Sequence, residues 1–321
     1  MEDSYGRTID YMRISITDRC NLRCCYCMPK GIQWLPMEEL LTYEEIAFIC
    51  RQSIYLGVKK YKITGGEPLV RLGCEKLIAQ MKEIPGVEQV TMTTNGVVLK
   101  EHLPRLLEAG LDGVNISLDT RRPDRFRQMT GFDRLDQVLG AMEAAVASGL
   151  PVKVNTVLQK GVNDDEWHSL MELARDYPLD VRFIELMPIG YGRERAAVPN
   201  PWLMEQIRQQ YPDISSDEAI HGNGPAVYYK IPGYLGSIGF ISAIHGKFCG
   251  SCNRIRLTST GEIKPCLCYG DSISLQESAR SRDAGALQAL LGQAIAAKPG
   301  KHCFEEPEKI TEYHKMTQIG G

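Results

Sequence analysis

Between residues 11 and 187 the hydrophobic positions repeat one pattern: a short β-branched run, a polar loop, then a longer stretch with one apolar helical face. The runs Tyr11–Ile16, Val58–Thr64, Gln89–Thr93, Val114–Leu118, Val152–Leu158 and Val181–Leu186 are continuously apolar or alternate with period two, as strands do. Between them, Tyr43–Leu56, Cys74–Lys82, Leu135–Ser148 and Asp165–Arg175 read as helices, the last capped by Asn163-Asp164. Six strands alternating with helices predict an α/β fold with a parallel sheet and right-handed crossovers. Six units fall short of the eight that close a barrel, so the expectation is an open, partial (β/α)6 TIM-like barrel. Its chemistry should lie at the C-terminal ends of the strands. The unusual residues gather there: Cys20–Cys27, Gly65–Pro68, Thr93–Gly96, Ser117–Asp119 and Glu185–Pro188 each follow a predicted strand.

After Pro188 the pattern changes. Residues 188–225 are rich in proline, glycine and charge and read as a connector with one helix near Trp202–Gln210. Tyr228–Ile231 and Ser237–Ser242 flank Pro232-Gly233 as a hairpin. Arg254–Thr258 is a further strand before a turn at Ser259–Gly261, and Ala286–Ala297 is a helix preceding a polar tail. The expected organisation is a barrel with its connector over residues 1–225 and a smaller C-terminal module over 226–321.

Composition narrows the function. A chain of 321 residues, 43% hydrophobic, can bury a large core. A net charge of -3 argues against a bulk nucleic-acid binder while leaving room for a local basic pocket. No apolar stretch approaches the roughly 18–20 residues that span a bilayer, and Met1–Arg7 has no signal pattern. A cytoplasmic location is therefore expected, with no membrane and no nucleic-acid partner. There, 11 cysteines point to metal ligands or catalysts before disulfides.

Cys20, Cys24 and Cys27 form a C-x3-C-x2-C triad in the loop after the first strand. Zinc usually takes four ligands, and a fourth local one is missing unless Cys25 is recruited. Three thiolates on a four-iron cluster leave one iron open. With Tyr26 before its last cysteine, the triad resembles the radical S-adenosylmethionine superfamily. That resemblance implies an open iron chelating S-adenosylmethionine, whose reductive cleavage yields a 5′-deoxyadenosyl radical. Gly65-Gly66-Glu67-Pro68 resembles the segment that contacts the methionine group through its backbone, where glycine allows close approach. Asn95-Gly96 and Ser117-Leu118-Asp119, at the next two strand ends, add to it.

Cys249, Cys252 and Cys266 form a second set, C-x2-C-x13-C, with Cys268 two residues on. A zinc ribbon using all four is the alternative, and Cys268 could equally close a cluster as its fourth ligand. Between the cysteines, strand alternation places Arg254 and Arg256 on one face, and paired guanidiniums suit phosphate oxygens. This segment, with Arg13, Arg182–Pro188, Gly239–Ile241 and the terminal Gly320-Gly321, closely resembles the GTP 3′,8-cyclases over nearly the whole chain.

The resemblance implies two 4Fe-4S clusters, the second on Cys249, Cys252 and Cys266 with an open iron facing guanine. It places Arg13, Lys62, Thr93, Lys153, Arg254 and Arg256 at GTP and Tyr26, Gly66, Ser117 and Met187 around S-adenosylmethionine. It inserts the Gly320-Gly321 tail beside the arginines. The implied reaction converts GTP to (8S)-3′,8-cyclo-7,8-dihydroguanosine 5′-triphosphate in molybdopterin biosynthesis. The implied partners are a one-electron donor such as flavodoxin or ferredoxin, and cyclic pyranopterin monophosphate synthase, which takes the product; the resemblance also allows a homodimer. A two-cluster maturase acting on a peptide, or a non-catalytic iron–sulfur or zinc protein, are the other readings. Cys25, Cys50, Cys74 and Cys303 receive no role beyond buried packing.

Overall fold

The computed structural model describes residues 1–28 and 34–320. The six predicted strands are present as β1 (Tyr11–Ser15), β2 (Lys60–Thr64), β3 (Gln89–Thr94), β4 (Gly113–Ser117), β5 (Val152–Thr156) and β6 (Asp180–Ile184). Each pairs in parallel with the one before it. The crossovers carry α1 (Tyr43–Ile54), α2 (Cys74–Lys82), α3 (Leu99–Glu108), α4 (Pro123–Thr130), α5 (Leu135–Ala147), α6 (Trp167–Met171) and α7 (Leu173–Asp176). At the start of α1 the Thr42 side chain accepts from the Glu45 amide while the Glu45 carboxylate accepts from the Thr42 amide, a reciprocal cap. The helix expected over Asp165–Arg175 is instead the pair α6 and α7, and Asn163 is not its cap. The Asn163 side chain accepts from the Gln159 amide and donates to the carbonyls of Asp119 and Val157, tying two strand-end loops together.

The later chain adds α8 (Asn200–Gln210), β7 (Ser215–Ser216), β8 (Val227–Lys230), β9 (Ile238–Ile241), β10 (Arg254–Leu257), β11 (Glu262–Lys264), β12 (Ile273–Ser274), α9 (Gln276–Arg280) and α10 (Ala284–Ala296). The expected hairpin is β8–β9. Its second strand also joins β6 in parallel, and β10 joins β1 in parallel. One sheet therefore runs β12-β11-β10-β1-β2-β3-β4-β5-β6-β9-β8-β7, its central eight strands all parallel. Among the described residues no ladder joins β7 to β12, so the sheet is open.

Strand alternation divides the sheet by chemistry. Met12, Ile14, Tyr61, Ile63, Val114 and Val154 are buried against the helices. The intervening positions are Arg13, Lys62, Asn115, Lys153, Asn155 and Arg182, on the other face. In a closed eight-stranded barrel that inner face is filled by branched apolar side chains. Here it is polar, and space remains for a ligand.

Candidate active site

The first cysteine loop leaves β1 and docks on the end of α4, where the Arg23 and Cys25 amides donate to the carbonyls of Thr130 and Met129. The Cys20 sulfur accepts from the Leu22 amide at 3.4 Å and the Asn95 side chain at 3.6 Å. Burial, with the Glu67 charge, pushes the Cys20 thiol up to about 11. Burial, with Cys20 close by, pushes Cys27 up to about 12, and burial raises Cys24 well above the ordinary range. Buried thiols this reluctant to ionise are a donor set that a metal would complete, since ligation removes the proton and supplies the counter-charge.

Beside this loop the Gly66 amide donates to the Thr17 carbonyl at 2.7 Å and the Glu67 amide to the Arg19 carbonyl at 2.8 Å. A Cβ on Gly65 would lie 2.6 Å from the Thr17 oxygen, and one on Gly66 2.3 Å from the Arg19 oxygen, so both glycines are required. Glu67 is fully buried and accepts from the Leu69 amide, the Thr94 hydroxyl and the Asn95 amide, linking the ends of β2 and β3. Burial nevertheless holds its carboxyl up to about 7. The Tyr26 hydroxyl donates to Asp119 at 2.7 Å.

Cys249 and Cys252 lie on the turn Phe248–Ser251 and the residue after it, between β9 and β10, and Cys266 follows β11. Three distant residues hold this region. Arg7, ion-paired with Asp3 at 2.6 Å, donates to the carbonyls of Cys249 and Pro299. The Lys298 ammonium donates to the carbonyls of Arg254 and Pro265, and the His302 amide to the Cys249 sulfur. Burial would raise the Cys252 thiol, but the charges of Arg254 and Lys298 outweigh it and bring it down to about 7. Cys268, two residues beyond Cys266, is fully buried, its sulfur 3.1 Å from that of Cys303.

A cavity of about 300 Å³ brings both triads together. Cys20, Cys24, Cys27, Cys249, Cys252 and Cys266 all line it, as do Arg13, Arg254, Arg256, Tyr26, Gly66, Thr93, Ser117 and Met187. Residues from all eight parallel strands or the loops after them reach this one space. Flat strands about 4.8 Å apart could not do so, so the sheet curls around it. Among the described residues no three His, Cys, Asp or Glu side chains converge closely enough to hold a single metal ion.

Arg256, Arg13 and Lys62 are register partners across β10, β1 and β2, a row of three cations. Burial, then the neighbouring charges of Arg13 and Arg254, brings Arg256 down to about 9, and burial likewise lowers Arg13 and Lys62. Guanidiniums keep their protons in proteins, so the row is a site that favours an anion. The tail reaches it: the Gly320 carbonyl accepts from Arg13 at 3.2 Å and Arg256 at 3.1 Å. Gly321 lies outside the described residues.

Lys62 and Lys153 line a second cavity of about 740 Å³, with Arg182 and the segment 216–228. Arg13, Asn155, Ile184, Ile241 and Arg254 border both cavities. The Lys153 ammonium meets Asp180 at 3.1 Å and the His221 backbone carbonyl, and the Asn155 side-chain amide oxygen accepts two donors from Arg182. Arg182 had a readable signal, an inward position in register with Asn155. Arg7 and Lys298 had none, because they act on backbone far away in sequence. Cys50 and Cys74 are buried as expected, whereas Cys25 is only half-buried.

The radical SAM superfamily pattern matches residues 14–174 and the Molybdenum Cofactor Synthesis C pattern residues 179–304. A GTP 3′,8-cyclase of Clostridium perfringens (strain 13 / Type A) is 43% identical over 323 residues, covering 100% of both chains. One from Pelotomaculum thermopropionicum (strain DSM 13744 / JCM 10971 / SI) is 43% identical over 330 residues, again covering 100% of both. In fold, the chain is similar to Streptococcus suis SuiB bound to S-adenosylmethionine, with a TM-score of 0.65 and 14% identity, over 96% of this chain and 76% of that one.

Proposed function

The chain belongs to the GTP 3′,8-cyclase family of radical S-adenosylmethionine enzymes, and from that premise we propose how its own residues divide the work. It is an enzyme of molybdenum-cofactor biosynthesis that converts GTP to (8S)-3′,8-cyclo-7,8-dihydroguanosine 5′-triphosphate. The observation that carries the reading is one cavity lined by two cysteine triads and the three guanidiniums of Arg13, Arg254 and Arg256.

Cys20, Cys24 and Cys27 would hold one 4Fe-4S cluster, and Cys249, Cys252 and Cys266 a second. When bound, the first cluster would supply the one-electron chemistry that reductive cleavage of S-adenosylmethionine requires. The division follows the chain. Residues 1–225 generate the radical, with Tyr26, Gly66, Ser117 and Met187 around the cofactor. Residues 226–321 add the second triad, the arginines and the tail.

The two cavities meet at Arg13 and Arg254, so a nucleotide can lie across them. Its triphosphate rests along the cationic row of Arg256, Arg13 and Lys62 and extends toward Lys153 and Arg182 in the second cavity. Arg254 and Thr93 hold the nucleoside end near the second triad, and Gly320 completes the wall beside Arg13 and Arg256. Leu186, Ile189, Leu267, Phe304 and Met316 line the same cavity with hydrocarbon, which excludes water and leaves fixed geometry to direct the radical. A one-electron donor of the flavodoxin or ferredoxin kind feeds the first cluster, and cyclic pyranopterin monophosphate synthase takes the product.

The test is an anaerobic assay of reconstituted protein with reductant and S-adenosylmethionine, with and without GTP, read by mass spectrometry. A GTP-dependent pairing of 5′-deoxyadenosine with a cyclised isomer of GTP is the expected result. Deoxyadenosine without a GTP-derived product would overturn the substrate, and loading of only about four irons per chain would overturn the second cluster.

A further inference from the structure

Cys268 and Cys303 take no part in the cavity lining. Cys268 is fully buried, Cys303 is 9% exposed, and their sulfurs stand 3.1 Å apart. The Cys303 amide also points at the Cys268 sulfur, at 3.3 Å. The pair joins two segments that the site depends on. Cys268 lies two residues beyond Cys266, and its carbonyl accepts from the Glu312 amide in the C-terminal run. Cys303 follows His302, whose amide donates to the Cys249 sulfur, and opens the run that ends between Arg13 and Arg256. Both pack in one apolar cluster with Leu267, Phe304, Ile310 and Ile319.

We propose that Cys268 and Cys303 are a redox-active dithiol that a peroxide converts to a disulfide, cross-linking the Cys266 loop to the start of the C-terminal run. Cys303, the more accessible, reacts first. Its sulfur attacks one oxygen of hydrogen peroxide, the O–O bond breaks, water leaves and the sulfur becomes a sulfenic acid. The Cys268 sulfur then attacks that of Cys303. The S–O bond breaks, and the departing hydroxide leaves as water with the proton from Cys268. The two thiols give up two electrons and two protons, and the peroxide becomes two waters. A resolving thiol already in contact makes the second step outrun further oxidation of Cys303, because no search for a partner is needed. A dithiol reductant reverses the bond. The oxidised pair also withholds Cys268 from the second triad.

The experiment treats cluster-loaded protein anaerobically with graded hydrogen peroxide, alkylates it, and maps the unreduced peptides by mass spectrometry. The expected product joins the Cys268 and Cys303 peptides, is lighter than their sum by two hydrogens, and disappears with dithiothreitol. The six triad cysteines stay protected from alkylation at the same dose. Cys268 joined to Cys266, sulfinic acid at Cys303 beside an alkylatable Cys268, or both thiols intact after the clusters have bleached would each overturn the proposal. Cys303→Ser should abolish the cross-link and leave cluster content and turnover of the reduced protein unchanged. Should that variant not fold, the peptide map of the natural sequence decides alone.

Discussion

Arg13 and Arg256 stand opposite one another on neighbouring parallel strands, and both donate to the carbonyl oxygen of Gly320, at 3.2 and 3.1 Å. A backbone oxygen offers a partial negative charge to two buried cations. The tail thus caps the cationic row. Strand register sets this arrangement, since parallel pairing puts the two arginines at one level.

Truncating one arginine should therefore impair substrate handling and spare the clusters. A hydrogen bond to a charged group contributes about 1.5–3 kcal/mol, so Arg256→Ala should lower kcat/KM for GTP by about ten- to a hundredfold. Iron content should stay at the natural level. Unchanged kcat/KM in a fully loaded variant would remove Arg256 from the site.

Gly320 tests the tail without removing a charge. Its φ is +76°, and a Cβ there would lie 2.9 Å from the Thr64 methyl and 3.3 Å from the Ser15 Cβ. Gly320→Ala meets both a conformational penalty of about 1 kcal/mol and a steric one. The tail should leave its place between the arginines, with turnover falling at least about tenfold if the lost contacts are worth one charged hydrogen bond. Limited proteolysis should then release the last residues faster than in the natural chain. Equal proteolysis and equal turnover would show that the tail tolerates the methyl.

The cradle beside the first triad gives a sharper steric test. The two carbonyls a Gly66 Cβ would strike, those of Asp18 and Arg19, at 2.7 and 2.3 Å, lie on the approach to Cys20. Backbone cannot yield there without moving the cysteine loop. Gly66→Ala should lose S-adenosylmethionine affinity by more than about tenfold, measured by equilibrium binding to loaded protein. Retained affinity would mean the cofactor does not use this wall.

Much of this site was legible because its chemistry is local in sequence. Cysteine spacing, the strand-end glycines and the Arg254/Arg256 alternation are short-range patterns, and the structure brings all of them to one cavity. The six strands were legible for the same reason, each carrying its own period. Long-range pairing was not: nothing in Ile238–Ile241 or Arg254–Leu257 tells which strand it will sit beside. That pairing widens the parallel sheet to eight strands and sets Arg256 against Arg13. Arg7 and Lys298 escaped notice because their partners are backbone carbonyls, which carry no sequence signal. Asn163 misled because an Asn before an apolar run reads as a helix cap, while here its side chain bridges two loops.

A buried ion pair ties the C-terminal run to the sheet and makes its anchorage pH-dependent. Lys264 on β11 and Glu312 are both fully enclosed, 2.8 Å apart, and Glu312 also accepts from the amide and ring of His314. Burial would raise the Glu312 carboxyl, but His314 and Lys264 outweigh it and hold it below its ordinary value of 4.5. A carboxyl whose folded value lies below its unfolded one stabilises the fold above the unfolded value, and that contribution is lost as pH falls through the folded value. The natural chain should therefore shed this stability below about pH 4.5. Glu312→Gln should lack that step, and at neutral pH it leaves Lys264 buried without a counter-charge, at a cost of about 3–5 kcal/mol. Urea midpoints of the cluster-free proteins, followed from neutral pH down through this window, separate the outcomes. A natural chain and a Glu312→Gln variant with the same midpoint at pH 7 and the same acid slope would show that the pair does not anchor the run.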